Sequence, residues 1–170
     1  MPFSLISLAY LLLILLSAFI IYDWLFKIDR EAVKVRLSGA VGEKLAGWFL
    51  LIFGILFILR AGNEFVGAYL SQKVLTPPDI SVLIADISIS ILWIAGGILL
   101  LRKAPLGYTS ALGLLFAASM LFIGLVIFLL VQPIINPTQF SFTDMIVVTI
   151  MGVLFSSPFV IYLRGTLKAS

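Results

Sequence analysis

The stretch from Ala104 to Val131 contains 28 residues without a single acidic or basic side chain. A helix needs about 20 mostly apolar residues, at about 1.5 Å of rise each, to cross the hydrocarbon core of a bilayer. A chain that carries such a stretch is restricted to folds in which lipid surrounds at least one helix. This stretch therefore predicts a transmembrane helix.

The composition extends this conclusion to most of the chain. Of the 170 residues, 62% are hydrophobic and 11% are charged, whereas soluble domains contain about 45–50% apolar and about 25% charged residues. A soluble domain of this size could not cover so much apolar surface with so few charges. The sequence therefore predicts a multi-pass integral membrane protein.

Five segments reach or nearly reach the length of a membrane span, and they predict one all-α domain, a bundle of five transmembrane helices. Their expected limits are 3–26, 45–66, 80–101, 105–131 and 144–163. The first is expected to be a retained helix, because it lacks the basic start of a signal peptide and its apolar run is too long. Aspartates mark two helix starts: Asp79 is expected to cap the third helix, and Asp144 is expected to form a capping box with Ser141 at the fifth.

The second segment raises a question of length. Residues 45–59 are uncharged, but fifteen residues give only about 22 Å of helix, which is too short to cross. We therefore expect the helix to continue through Arg60, Asn63 and Glu64 toward Tyr69. These polar residues would then lie at the membrane edge or just inside it.

Basic residues divide unevenly between the two sides of the predicted bundle. One side has nine of them: Lys27, Arg30, Lys34, Arg36, Lys44, Arg102, Lys103, Arg164 and Lys168. The other has two, Arg60 and Lys73. Because basic loops stay in the cytoplasm, the N-terminus is predicted outside and the C-terminus inside. Aromatic residues are expected at the inner boundary (Trp24, Trp48, Tyr108, Tyr162) and at the outer one (Phe65, Tyr69, Phe140, Phe142).

Residues 27–44 form the predicted cytoplasmic loop. Its segment VKVRLSGAV alternates apolar and basic residues, which predicts a short extended hairpin or a ribbon on the membrane surface. Lys27, Arg30, Lys34 and Arg36 are expected to contact anionic lipid headgroups there.

Asp86 is the acidic residue that the predicted topology places deepest. It lies seven residues beyond Asp79, about 10 Å into the bilayer, and aspartate is too short to reach back to the headgroups. It should face the bundle and pair, or stay protonated. A bridge to Arg60 is the natural hypothesis, and a structural role for it is as plausible as a ligand-binding or proton-handling one. Arg60 and Glu64 can pair within their helix as a charged site, but simple snorkelling is the favoured explanation because both lie near a predicted helix end.

Several function classes are excluded by composition. The chain has no cysteine and no histidine, so disulfides, thiol chemistry, histidine-ligated metals and a Ser-His-Asp triad cannot occur. The sequence predicts no cofactor and no metal, and it has no basic or glycine-rich motif for nucleic acid or phosphate.

Three segments, VKVRLSGAVGEKLAGWFLLIFGILF, PPDISVLIADI and GGILLLRKAPLGY, resemble a family of small multi-pass prokaryotic membrane proteins with no assigned activity. The resemblance implies the same helical topology and a location in the cytoplasmic membrane. It also makes Asp86 and the LRKAPLGY segment candidate functional positions.

Three functional hypotheses follow from these features. The favoured one is a non-enzymatic accessory or interaction protein that meets a membrane-protein partner, a second copy of itself or anionic lipid. The alternative is a transporter of a small solute or ion, with an outward-facing polar pocket that uses Arg60, Glu64 and Asp86. An intramembrane enzyme with Asp86 and Glu64 as an acid/base pair is the least favoured hypothesis.

Overall fold

The computed structural model describes residues 5–72, 74–135 and 142–169. Every regular element in these ranges is a helix, which confirms the predicted all-α class. The helices are α1 (Leu5–Lys27), α2 (Arg30–Leu37), α3 (Glu43–Leu70), α4 (Pro77–Leu101), α5 (Pro105–Ile135) and α6 (Phe142–Ala169).

Four of the described helices, α3 to α6, are long and apolar enough to cross a membrane. Helix α3 continues without a break through Arg60, Asn63 and Glu64, in agreement with the length argument. The apolar part of α1 whose side chains are described is the shorter stretch Leu11–Asp23. A fifth span therefore stays a prediction, as does the orientation of the termini.

The chain divides into two compact units, one up to Arg30 and one from Glu31 onward. The first consists of α1, whose apolar side chains, such as Ile14 and Phe19, are more than 60% exposed. Asp23 and Lys27 form an ion pair of 2.7 Å at its end. The second unit contains the rest of α2 and helices α3 to α6.

Close backbone approach joins α3 to α4, and small residues permit it. A Cβ added to Gly97 would lie 2.8 Å from the carbonyl oxygen of Gly47, and one added to Gly54 would lie 3.0 Å from that of Ser90. Small residues at helix contacts bring backbones together where lipid supplies no hydrophobic driving force. The two helices form a tight antiparallel hairpin as a result.

Helices α5 and α6 are linked by a buried hydrogen bond. The Ser119 hydroxyl of α5 shares its hydrogen between the carbonyl oxygen of Leu115 in its own helix, at 2.8 Å, and that of Phe155 in α6, at 3.1 Å. Three residues after Phe155, Pro158 cannot donate to the carbonyl of Leu154, and the Ser157 hydroxyl donates to that oxygen instead, at 2.9 Å. Hydroxyl groups thus satisfy the backbone around the proline.

Six aromatic rings from helices α3 to α6 pack together in the core, and we call them the aromatic layer. They are Phe49, Phe53, Phe57, Trp93, Phe122 and Phe155. The centroids of the rings that contact each other are 4.3 to 6.1 Å apart. Trp93 is 1% exposed and Phe155 is fully buried. The layer is the centre of the apolar core.

Two local predictions were wrong. Residues 30–37 form helix α2 and not an extended hairpin, because Glu31 in its first turn and Arg36 in its last turn both complement the helix dipole. Helix α4 begins at Pro77 and its N-cap is Thr76, whose hydroxyl and backbone exchange hydrogen bonds with Asp79. Asp79 is therefore the third residue of the helix (N3) and the acidic partner in a capping box, rather than the cap itself.

Candidate functional site

Arg60 and Asp86 face each other across the α3–α4 hairpin. Because the two helices are consecutive and antiparallel, the last part of α3 lies beside the first part of α4. Arg60 Nη1 lies 3.1 Å from Asp86 Oδ2. The Asp86 side chain is 13% exposed and that of Arg60 is 56% exposed. The carboxylate is thus the shielded partner, and the guanidinium covers it.

Glu64 and Asn63 stand further from this pair. Glu64 Oε2 lies 3.9 Å from Arg60 Nη2, one turn along α3, with a side chain 45% exposed. An ion pair at that distance and exposure contributes at most about 1 kcal/mol. Asn63 is exposed on the same helix. The structure therefore brings Arg60 and Asp86 together and leaves Asn63 and Glu64 at the edge.

A cavity of about 760 Å³ opens beside the Arg60–Asp86 pair, between α3, α4, α5 and α6. We call it the four-helix cavity. Its lining residues are Phe57, Arg60, Val82, Asp86, Leu121, Phe122, Gly124, Leu125, Asp144, Val147, Val148 and Met151. This volume falls within the range of about 300–1,000 Å³ that is usual for ligand sites. Glu64, which the pocket hypothesis included, does not line it.

Asp144 is the functional candidate that sequence reasoning missed, because it was interpreted only as a helix cap. It lies in the first turn of α6 and lines the cavity. Its expected capping partner Ser141 lies outside the described residues. Helices α4 and α6 begin at the same end of the bundle, where α3 ends. That alternation of directions, readable from the order of the segments, is the signal that could have placed Asp144 near Arg60 and Asp86.

The rest of the cavity wall is apolar, and its floor is aromatic. Phe57 and Phe122 belong both to the aromatic layer and to the lining, so the layer closes the cavity on the side that faces the core of the bundle. At the rim, Val82 and Val147 are each 49% exposed. The cavity thus combines one guanidinium and two carboxylates with a largely apolar surface. Such a surface suits a ligand that has both an apolar body and a charged group.

A second polar cluster lies at the opposite end of the bundle, around Glu43. The backbone N–H of Gly39 donates to Glu43 Oε1 at 2.7 Å, and Lys103 Nζ lies 3.7 Å from Oε2. Glu43 is only 9% exposed. Its carboxylate therefore fixes the turn after α2 to the start of α3 and to the turn between α4 and α5.

Tyr108 and Tyr162 complete this cluster and are buried within the bundle, while their expected depth at the inner boundary stays a prediction. They are 1% and 0% exposed, and the Tyr162 hydroxyl donates to the carbonyl oxygen of Tyr108 at 3.2 Å. The Tyr108 hydroxyl is buried beside Glu43 and Ser38 and forms no hydrogen bond of good geometry with the described groups. Turns that fold back over the helix ends bury both rings. Phe140 and the side chain of Trp24 lie outside the described part of the structure.

The four residues expected at lipid headgroups have varied surroundings. Lys27 pairs with Asp23, and Lys34 Nζ lies 3.9 Å from Glu31 Oε2. Arg36 Nε donates to the carbonyl oxygen of Ala169 at 2.5 Å, which ties α2 to the end of α6. Arg30 is the first residue of α2. Contact with anionic lipid therefore stays a prediction for all four.

Comparison with known proteins adds no relative. No family model, no curated protein and no solved structure matches the chain. Within the described ranges, no group of three acidic residues is placed to hold a metal ion. The resemblance of the three quoted segments to a family of small membrane proteins therefore stays a prediction.

Proposed function

We propose that the protein is a non-enzymatic accessory protein of the prokaryotic cytoplasmic membrane that binds a small solute in the four-helix cavity. The observation that carries this proposal is the cavity itself, where Arg60, Asp86 and Asp144 from three helices meet on an apolar wall. Charged groups are costly inside a membrane and mark function more often than they do in water.

The proposal includes a topology. Helix α1 is the fifth span, the N-terminus is outside, and residues 27–44 and the C-terminus are cytoplasmic. The uneven distribution of basic residues supports this orientation. It makes the end with Arg60, Asp86 and Asp144 the outer end, so that the cavity opens outward. A membrane-protein partner or a second copy would use the lipid-facing helix surfaces.

The packed core favours a protein that binds a solute over one that conducts it across the membrane. The aromatic layer lies between the cavity and the Glu43 cluster, and Trp93 and Phe155 in it are almost completely buried. A solute in the cavity meets packed rings and not a path to the other side. We therefore place the solute-binding accessory protein ahead of the transporter.

A transporter is the second candidate, and one observation favours it. The three charged residues lie on different helices, and Arg60 and Asp86 are joined only by side chains. A relative movement of α6 and the α3–α4 hairpin could open the floor of the cavity. Flux of protons, Na⁺ or K⁺ in proteoliposomes, abolished by Asp86→Asn in a folded protein, would support this candidate over the first.

Cysteine labelling tests whether the cavity is open to water from outside. The chain has no cysteine, so Gly124→Cys introduces the single reactive thiol, and a Cβ at Gly124 meets nothing within 4 Å. We expect a membrane-impermeant maleimide added outside to label it, because this position lines the cavity.

The matched control is Gly113→Cys in the same helix. Its Cβ also meets nothing within 4 Å, but this glycine does not line the four-helix cavity. It should stay unlabelled in lipid, while Val74→Cys, 86% exposed before α4, should label fully. If Val74→Cys labels and Gly124→Cys does not, the cavity is not a solute site and the proposal fails.

A further inference from the structure

A second groove lies between α5 and α6, apart from the four-helix cavity. It has a volume of about 600 Å³ and lies between residues 123–127 of α5 and residues 149–161 of α6, and we call it the α5–α6 groove. We propose that this groove binds an anionic phospholipid, with one acyl chain in the groove and the phosphate on Arg164 and Lys168 beyond its end. The inference goes beyond the proposed function, because the site shares no residue with the four-helix cavity.

The α5–α6 groove offers few polar groups to a ligand. Most of its lining is aliphatic, and the hydroxyls of Thr149 and Ser157 donate to carbonyl oxygens of their own helix, at 2.7 and 2.9 Å. Val153 lines the groove and is 67% exposed, so the groove is open to the surroundings of the bundle. Such a surface binds an alkyl chain through dispersion contacts rather than through hydrogen bonds.

The length of the groove is close to the thickness of one leaflet. From Thr149 to Ile161 helix α6 rises about 18 Å, and half of a hydrocarbon core of about 30 Å is about 15 Å. An acyl chain that follows α6 would therefore run from the middle of the bilayer to the boundary at the end of the bundle that contains Glu43. That boundary is the inner one in the proposed topology.

Helix α6 places two basic residues directly beyond this end of the groove. The helix continues without a break to Ala169, beyond the predicted end of the span at 163. Residues three or four positions apart lie on the same face of a helix. Arg164 follows Ile161 by three positions, and Lys168 follows Arg164 by four. The two cations therefore lie on the face of α6 that lines the groove.

Other roles of basic residues do not explain this placement. The helix dipole favours a cation in the last turn of α6, which contains Lys168, but Arg164 lies before that turn. The positive-inside rule determines the side of the membrane on which basic residues lie, but not the helix face. Both residues are exposed, and basic residues at a membrane surface attract anionic lipid. Their charge complements a lipid that joins an apolar chain to a negative headgroup.

Native mass spectrometry of the delipidated full-length protein in a non-ionic detergent tests the proposal. Phosphatidylglycerol is the anionic probe, and phosphatidylethanolamine with the same acyl chains is the zwitterionic one. We expect the first phosphatidylglycerol to bind at least about fivefold more tightly than phosphatidylethanolamine. Arg164→Gln and Lys168→Gln should each weaken its binding about fivefold, the usual contribution of one basic residue near an anionic headgroup.

A matched double variant controls for the general positive charge of this end of the bundle. Lys44→Gln with Arg102→Gln removes the same charge at exposed positions outside α6. The Arg164→Gln/Lys168→Gln protein should lose its preference for phosphatidylglycerol, and the control protein should keep it. Equal losses in the two proteins would show that the lipid responds to overall charge, and the site on α6 would be refuted.

A second pair of variants tests the groove itself. Val153→Phe places a ring in the groove and should abolish binding of the first phosphatidylglycerol. Leu154→Phe is the control, because Leu154 is 44% exposed at the adjacent position but does not line the groove. It should leave binding unchanged. Equal binding by the two variants would contradict a chain seated in the groove.

A second copy of this chain is the competing occupant, and the same spectra report the oligomeric state. If the protein is a dimer that Val153→Phe dissociates while lipid binding is unchanged, the groove is a protein interface and the proposal is wrong. Equal binding of the two lipids to the unchanged protein would also overturn it. None of these results depends on labelling of Gly124→Cys, so this inference and the proposed function stand or fall separately.

Discussion

At the scale of single residues, polar groups in this bundle differ sharply in how firmly they are held. Arg60 contacts two carboxylates, but Asp86 lies 3.1 Å away and is shielded, while Glu64 lies 3.9 Å away and is half-exposed. An ion pair strengthens as water is excluded from it. The Arg60–Asp86 contact should therefore contribute to stability, and the Arg60–Glu64 contact should contribute little.

A double-mutant cycle measures this difference. Arg60→Gln and Asp86→Asn, alone and together, should give a coupling energy of about 1 kcal/mol in unfolding titrations of the detergent-solubilised protein. The matched cycle with Glu64→Gln should give less than about 0.5 kcal/mol. Equal coupling in the two cycles would contradict the different shielding of the two carboxylates.

A second residue-scale prediction concerns Ser119, which donates to Phe155 across the α5–α6 contact. Interhelical hydrogen bonds in membranes contribute about 0.6 kcal/mol on average, so Ser119→Ala should lower the free energy of unfolding by roughly that amount. Ser110→Ala is the control, because the Ser110 hydroxyl donates within its own helix, to Leu106. Unfolding followed by circular dichroism should separate them, and equal losses would show that the bond across the helices contributes nothing.

Sequence reasoning could predict the residues of the site only where one helix or one hairpin placed them. The length that α3 needs to cross the membrane identified Arg60, and the depth of residue 86 in the predicted third span (α4) identified Asp86. Asp144 and Glu43 were missed because their importance comes from neighbours far along the chain: Asp144 meets the cavity wall made by α3, α4 and α5, and Glu43 meets Lys103. A single sequence contains no direct record of such contacts.

At the scale of elements, glycine positions set how closely the helices approach. Gly97 of α4 lies against the backbone of α3, so that an added Cβ would lie 2.8 Å from Gly47 O and 2.9 Å from Leu51 N. Neither atom can move without shifting a helix. Apolar length predicted that α3 to α6 exist, but α3 ends at Leu70 and α6 at Ala169, beyond the predicted ends at 66 and 163. Helix α2 and the start of α4 were not predicted, because charge at the ends of α2 and the Thr76 cap of α4 determine them.

Gly97→Ala should therefore destabilise the protein, by about 1–3 kcal/mol, the usual cost of overpacking. Gly113→Ala is the matched substitution, because a Cβ there meets nothing within 4 Å. It should be neutral or slightly stabilising, since alanine favours a helix over glycine. Thermal unfolding in detergent compares the two. A Gly97→Ala protein as stable as Gly113→Ala would contradict the close approach of α3 and α4.

At the scale of the whole molecule, the two ends of the four-helix bundle have different chemistry. One end has Arg60, Asp86 and Asp144 around a cavity. The other has Glu43, Lys103 and two buried tyrosines fixed by turns. The all-α class and the membrane-spanning length of α3 to α6 follow from composition and apolar runs, which depend on no distant contact. Which end faces outward depends on insertion into a bilayer, and the proposal assigns it from the basic residues.

The orientation is tested by two single cysteines at exposed positions on either side of α3. Val35 in α2 is 78% exposed and Val74 before α4 is 86% exposed. In intact cells an impermeant maleimide should label Val74→Cys and not Val35→Cys, and in inverted vesicles the pattern should reverse. A cysteine added ahead of Met1 should label with Val74→Cys if α1 crosses the membrane. Labelling of Val35→Cys alone in intact cells would invert the topology and direct the cavity toward the cytoplasm, where its ligand would have to come from the cell interior.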